Sequence, residues 1–324
     1  MKKIINLFLI LFLALCCGPR LEKIEKTMED GVEIVVNHLE PYRIKGERSI
    51  LSLEKEFTID TEKDEIAKLG LTDIWGFFDA DSEGNIYLIS PKSSDNVIFA
   101  FDKEGNFVRT FGRKGQGPGE LQAQVYGSLF LNVTFKDEIA ISDHNNNKIS
   151  FFRKDGSLVK ETKLDSRTGF AMPLENGNYL IVKSIINPQG DYINQRLLIL
   201  GNGQFEEIKE LDRQSVPNPV IGKRLKGFYY VFSWSVAKQK IYTGFQERGY
   251  EIFVYDFEGK MIRKIKKQHK PVPVSEEYKK NYMKQYEAPI FAPIRSKIYF
   301  PDSMPPFHAF FADDEGRLVV MTYE

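Results

Sequence analysis

The stretch "FGRKGQGPGEL", Phe111 to Leu121, places four glycines and a proline within the eight residues from Gly112 to Gly119, with Arg113 and Lys114 among them. A loop of this composition either cradles a phosphate or turns the chain. A Walker loop needs GxxxxGK followed by Ser or Thr, a dinucleotide fingerprint needs GxGxxG, and both feed a helix whose first amides face the anion. Gly115, Gly117 and Gly119 have neither spacing, and the segment that follows, "LQAQVYGSLFLNV", runs into a strand. The loop therefore reads as a crossing from the strand "NFVRTF" to the next strand, not as a phosphate site.

Hairpin signals flank it on both sides: "DSEGNIYLIS" from Asp81, "FDKEGNFVRTF" from Phe101, "FFRKDGSLVKE" from Phe151, "LENGNYLIV" from Leu174, "LGNGQFEEI" from Leu200, "YDFEGKMIRKI" from Tyr255 and "DDEGRLVVM" from Asp313. Each sets a glycine after polar residues and then alternates apolar positions, the chemistry of a tight turn feeding a half-buried strand. Two sets alternate. Turns at Gly84, Gly177 and Gly316, with degenerate members at Asp137 and Gln239, join apolar strands and read as inner; turns at Gly105, Gly156, Gly203 and Gly259 lead into charged strands and read as outer. The outer turns are spaced by 51, 47 and 56 residues. Four strands in each unit of about fifty residues predict an all-β chain folded as a β-propeller, one unit per blade. A two-sheet sandwich has no need of inner and outer hairpins alternating in phase.

Two stretches depart from the repeat. "PVPVSEEYKKNYMKQY", Pro271 to Tyr286, predicts one short inserted helix with Ser275 as its N-cap and Tyr278, Tyr282 and Tyr286 packed on the propeller. After Val319 to Tyr323 no outer hairpin follows the fifth inner one, so the expected chain is truncated within a sixth blade. Ser49–Asp60 is the expected closing strand, with Val32–Val36 as a second candidate. The expected organisation is a signal over 1–17, a tether and N-terminal strand over 18–46, and the propeller over 47–324.

Met1-Lys2-Lys3 followed by Ile4–Leu15, a run broken only by Asn6, is an export signal too short to span a bilayer comfortably. "LALCCG" resembles a bacterial lipoprotein signal, which implies a lipid anchor on Cys17, or on Cys16, and residence at the bacterial cell envelope. The chain has no other cysteines, so a disulfide framework, a thiolate zinc site and a cysteine nucleophile are excluded from the mature body. Without Lys2 and Lys3, forty-three basic residues face forty-five acidic ones, and no charge excess advertises nucleic acid.

"DHNNNKISFF" resembles the D-x-x-N-x-R-I-x-x-F core of NHL-repeat and related six-bladed propellers, with Asp143, Asn146, Lys148, Ile149 and Phe152 in the matching places and a lysine where arginine is usual. "FGRKGQGPGEL" resembles the interblade segment of the same family, and a weaker copy, "SSDNVIFAFD", lies in the preceding blade. The resemblance implies a structural role for Asp143 and Asn146, which hold turns through side-chain to backbone bonds. It also implies that an enzyme on this scaffold, a lyase or lactonase, would set metal ligands near the axis.

The histidines His38, His144, His269 and His308 occupy different repeat phases, and only His308 begins an innermost strand, so a multi-histidine zinc site is not expected. No cofactor is predicted; a carboxylate calcium site using Asp79, Asp302 or Glu247 stays open. No catalytic constellation emerges from linear spacing. The approaches to the innermost strands carry aromatics, around Trp75, Tyr126, Phe170, Tyr229 and His308, which either fill the axial channel or meet a ligand. Trp75, Tyr126, Tyr229 and His308 are the candidate ligand-binding residues. The basic run "RKIKKQHK", Arg263–Lys270, is expected to protect an exposed sheet edge. The function expected is a non-catalytic platform for a glycan, peptide or protein partner, with a metal-dependent lyase or lactonase as the alternative.

Overall fold

Alternating apolar residues and tight turns organise nearly every strand of the chain, seen in a computed structural model that describes residues 24–38, 43–44, 47–48, 54–71, 78–123, 129–228 and 231–323. An N-terminal hairpin, β1 (Ile24–Glu29) and β2 (Val32–Asn37), precedes a minimal pair, β3 (Arg43–Ile44) and β4 (Glu47–Arg48). Three four-stranded antiparallel sheets of sequential strands follow. The first is β5 (Phe78–Ala80), β6 (Ile86–Ile89), β7 (Asn96–Phe101) and β8 (Phe107–Arg113). The second is β9 (Leu129–Val133), β10 (Ile139–Asp143), β11 (Lys148–Phe152) and β12 (Leu158–Lys163). The third is β13 (Thr168–Pro173), β14 (Tyr179–Ile186), β15 (Tyr192–Gly201) and β16 (Glu207–Pro217). After the short β17 (Leu225–Lys226), a fourth unit runs β18 (Phe232–Ala237), β19 (Lys240–Phe245), β20 (Glu251–Asp256) and β21 (Met261–Lys267). β22 (Ile298–Tyr299) pairs in parallel with β17, and β23 (Ala309–Ala312) with β24 (Leu318–Met321) makes the inner hairpin of a fifth unit.

The units stack side by side through their faces. Ile98 and Phe111 of the first meet Leu131, Ile141 and Phe152 of the second. Ile149 and Phe151 meet Ile181 and Ile199 of the third, whose Leu180 and Leu198 meet Ile241 and Tyr255 of the fourth. Val254 of the fourth meets Phe307 and Phe310 at the fifth. Sheets that are apolar on both faces need a neighbour on each side, which is the physical content of a blade. Polar ties reinforce the stacking: Ser142 Oγ donates to the Ala171 carbonyl and accepts from its amide, each at 3.0 Å.

Five of the turns follow one scheme. Asp102 Oδ1 accepts from the amides of Glu104 at 3.1 Å and Asn106 at 2.8 Å, and Asp81, Asp256 and Asp313 do the same in their own turns. In the third unit Asn202 takes the aspartate's place, and the left-handed residue is Phe205, at φ 64°, not Gly203. The Phe205 amide donates to the Asn202 carbonyl, and its ring lies 4.3 Å from Tyr179, a contact that offsets the strain. The outer turns thus fall at 105, 156, 205 and 259, a more even period than the glycines alone indicate.

Three further expectations are revised. Val32–Val36 lies in β2, which pairs in parallel with β21 and extends the fourth sheet to six strands; it does not close a ring. The basic run is consequently not an edge: β2 runs along β21, Arg263 pairs with Glu33, and the free edge is the exposed β1. Residues 49–53 of the expected closing strand lie outside the described residues, and 54–60 form no strand. Instead Ile59, Ile66 and Leu71 pack on Leu88, Phe99 and Phe101 of the first blade. The inserted helix forms over Glu276–Met283, with Ser275 Oγ accepting from the Tyr278 amide at 3.1 Å and Tyr282 buried.

Gly112 sits at φ +70°, and a Cβ there would lie 2.8 Å from Leu121 Cδ1 and 2.9 Å from Ile98 Cδ1, whereas Gly177, at φ +85°, faces open space. Gly112→Ala is expected to lower stability by about 2–4 kcal/mol in urea unfolding, and Gly177→Ala only by the conformational cost of about 1–2 kcal/mol.

Candidate functional site

One cavity, of about 570 Å³, touches all five units and so lies where they converge, at the end carrying the inner turns. Its lining includes Asp79 of β5, Asn132 of β9, Met172 of β13, Val236 of β18, and Asp314 in the turn between β23 and β24. Period two explains the placement: Leu129, Leu131 and Val133 face the first blade, so Asn132 turns to the other side with Phe130. Asn132 is 4% exposed, and its Oδ1 has no hydrogen-bond partner among the described residues.

The carboxylates around this cavity are unequal. Asp79 Oδ2 accepts from the Val133 amide at 2.8 Å, tying the first blade to the second. Burial pushes its carboxyl above the usual range, the amides of Val133 and Ala80 work against that, and the Asp314 carboxylate adds to it. Asp81 is held below the usual range: burial opposes ionisation, but hydrogen bonds from Asn85, Lys154 and the Glu83 amide outweigh it. Asp137 is lowered by Ser82, which donates through both its hydroxyl and its amide, and by Lys154. Lys154 Nζ stands 3.2 Å from Asp81 and 3.1 Å from Asp137, and Gln239 donates to Glu175 at 3.0 Å. Asp314 is exposed and has no hydrogen-bond or ion-pair partner among the described residues.

A second cavity, of about 230 Å³, is lined by Lys226, Phe228, Gln246, Glu247 and Met304. Lys226 Nζ lies 2.7 Å from Glu247, and Gln246 Nε2 donates to the His308 carbonyl at 2.9 Å. His308 itself is exposed and stacks on Tyr323, with ring centroids 5.8 Å apart. Of the other candidate ligand-binding residues, Trp75, Tyr126 and Tyr229 lie outside the described residues, as do Cys16 and Cys17. Phe170 is buried between Phe130 and Trp234, at 5.4 and 5.8 Å, and fills the interior.

The glycine loop is laced by its neighbours. Asn146 Nδ2 donates to the Gly115 carbonyl at 3.0 Å and Lys148 Nζ to the Gly117 carbonyl at 2.9 Å, while Glu120 Oε2 accepts from the amides of Gln116 and Gly117. Asp143, fully buried, accepts from the Gln122 amide at 2.8 Å and from both nitrogens of Asn146. Gly119 brings the loop against Leu158. Of the carboxylates considered for calcium, Asp79 and Glu247 line different cavities, and Asp302 lies in the segment between β22 and β23. Among the described residues no three His, Cys, Asp or Glu side chains are grouped so as to hold a metal ion.

Sequence reasoning missed Asn132, because an asparagine between leucine and valine in a strand carries no distinguishing pattern. The raised pKa of Asp79 has a testable sign. A carboxyl raised by folding subtracts stability once ionised, and the deficit is relieved as pH falls through its folded-state pKa. Relative to Asp79→Asn, the natural chain is expected to lose stability with rising pH between the ordinary aspartate range and that raised value, as read from urea unfolding across pH 4–7. A difference that does not change with pH contradicts this.

A family model described as a 6-bladed beta-propeller, DUF5128, matches residues 80–286. No curated protein sequence matches the chain significantly. Among solved structures, a protein of Bacteroides fragilis NCTC 9343 whose name carries export as an expectation is 18% identical, with 71% of this chain and 59% of that chain covered at a TM-score of 0.44. A member of the DUF4221 family from Bacteroides vulgatus ATCC 8482 is 15% identical over 59% of this chain and 57% of that one, at 0.38. A gluconolactonase from Xanthomonas campestris is 10% identical over 81% and 77%, at 0.37. The chain thus spans less than three-fifths of the length of the first two. The family match does not extend to the NHL-repeat type that the motif at Asp143 resembles. It covers most of the four sheets of sequential strands, and the chain belongs to this six-bladed β-propeller family.

Proposed function

We propose that this propeller is an exported protein, held at the bacterial cell envelope by a lipid on Cys17 or Cys16, that works as a non-catalytic binding platform. The partner is a glycan, peptide or protein, and it is received at the cavity where the blades converge. That cavity carries the reading: about 570 Å³ lies within the range of small-ligand sites, and its walls combine apolar side chains with a few polar groups. Rigid blades present those groups without the ordering cost of a mobile loop. The rival reading, a metal-dependent lyase or lactonase on the same scaffold, needs ligands that converge on a metal ion.

The second cavity carries the Lys226–Glu247 pair, and the described residues that line it include none of Trp75, Tyr126, Tyr229 and His308. Its volume of about 230 Å³ suits a single side chain better than a partner segment. Of these two cavities, the one where the blades converge is the proposed docking site.

Binding of the purified protein to glycan and peptide arrays tests the reading. Saturable binding of one class, with the ligand recovered intact and affinity unchanged by chelator, is the expected outcome. Turnover of the bound ligand that stops on chelation replaces the platform with the enzyme.

A further inference from the structure

We infer that the end of the propeller opposite the converging cavity docks on an anionic lipid surface, through three stiff turns whose tips expose apolar side chains beside basic ones. This docking presupposes the envelope location proposed above and adds a second contact to the one at the cavity.

The tips are the turn between β14 and β15, the segment after β16, and the segment between the inserted helix and β22. They expose Ile186 and Tyr192, Val220 and Ile221, and Ile290 and Phe291; Ile186 and Val220 are each 70% exposed and Ile290 is 79% exposed. Apolar side chains held in water gain free energy when an apolar phase covers them. These tips are not loose. Asn218 Nδ2 donates to the carbonyls of Pro188 and Gly190 at 2.8 and 2.9 Å, which ties the second tip to the first. Arg295 donates to the Tyr286 and Glu287 carbonyls at 2.8 and 2.6 Å and closes the third tip on itself. β17 and β22 pair in parallel, Leu225 with Ile298, so the second and third tips enter that pair from the same end. Pro188, Pro219 and Pro289 stiffen one tip each.

Their direction is set by the third blade. β14 starts beside the turn whose Leu174 and Glu175 line the converging cavity, and it ends at Ile186. The first tip, with the second tied to it, therefore lies at the far end of the blade from the cavity.

Charge selects the occupant. Although the whole chain is balanced, residues 186–192, 216–224 and 284–297 hold five basic side chains, Lys223, Arg224, Lys284, Arg295 and Lys297, against Asp191 and Glu287. Asp191 takes up Lys223 at 3.1 Å, while Lys284 and Lys297 have no ion-pair partner among the described residues. Apolar tips flanked by unpaired lysines match a bilayer, whose acyl region accepts the tips and whose anionic headgroups meet the ammonium groups. A protein partner needs one continuous complementary surface, and a fluid bilayer moulds itself to separate projections. A membrane seated at this end leaves the converging cavity facing away from it, open to a partner.

The test uses the full chain with Cys16→Ser and Cys17→Ser, so that no lipid is attached, and with a single labelling cysteine from Ile290→Cys, Val220→Cys or Gln204→Cys. All three positions are exposed, and Gln204 lies in a turn at the cavity end of the third blade. Each chain carries an environment-sensitive fluorophore and is reconstituted by detergent removal with vesicles of phosphatidylcholine and phosphatidylglycerol whose acyl chains bear a quencher. The labels at 290 and 220 are expected to shift to the blue and to lose emission to the quencher, the label at 204 to do neither, and the loss to shrink in vesicles of phosphatidylcholine alone. Labels at 290 and 220 that stay unquenched, equal quenching at all three positions, or the same response without phosphatidylglycerol overturns the inference. A blue shift at 290 without quenching marks a contact between proteins and overturns it as well. None of these outcomes bears on ligand binding at the cavity, which the glycan and peptide arrays test separately.

Discussion

Two-sided burial of the middle strands is the constraint on which this structure depends. All five residues of β10 are buried, as are the last five of β7 and the last four of β11. A strand that is apolar on both faces cannot sit at a protein surface, so each sheet requires a neighbour on either side. The side-by-side order of the blades follows from that requirement. The outer strand β12 obeys a different rule: from Leu158 to Glu161 it alternates exposed and half-buried positions, because only one face meets a neighbour.

Confinement of apolar packing to the blade faces leaves the polar work to the ends. Turn carboxylates satisfy amides within their own hairpins, and cross-blade pairs then join one unit to the next. Arg248 grips the buried Asp212 through two nitrogens, the second at 2.8 Å, linking the fourth blade to the third. Breaking such a pair from one side strands a buried charge, so it acts as a lock on register more than as a source of net stability. Lys154 plays the corresponding part between the first two blades. Where the five units converge, Lys154 holds Asp81 and Asp137 at the cavity, while Asp79 is held there by the amides of Val133 and Ala80.

The polar turn residues were legible because their chemistry is local. An aspartate two and four residues before the amides it accepts from is visible as D-x-x-G in the chain, and so is the period it marks. Gly203 shows the limit: glycine permits a left-handed backbone but does not compel it, and the Asn202 carbonyl selected Phe205 instead. The destination of Val32–Val36 was not legible either. A β2 strand more than two hundred residues from its partner pairs by shape and exposed edge, and any apolar run of that length offers the same backbone groups.

By itself the amino-acid sequence determined the strand period, the alternation of inner and outer turns, the helix capped by Ser275, and the glycine loop as a crossing between blades. All of these arise from contacts within a few residues. Only the tertiary structure decided that the basic strand is covered by the N-terminal hairpin, that residues 54–71 lie against the first blade, and that Asp79, Asn132 and Asp314 share one cavity. Those three residues come from different blades, and nothing short of the packing of apolar faces specifies which turns are brought together.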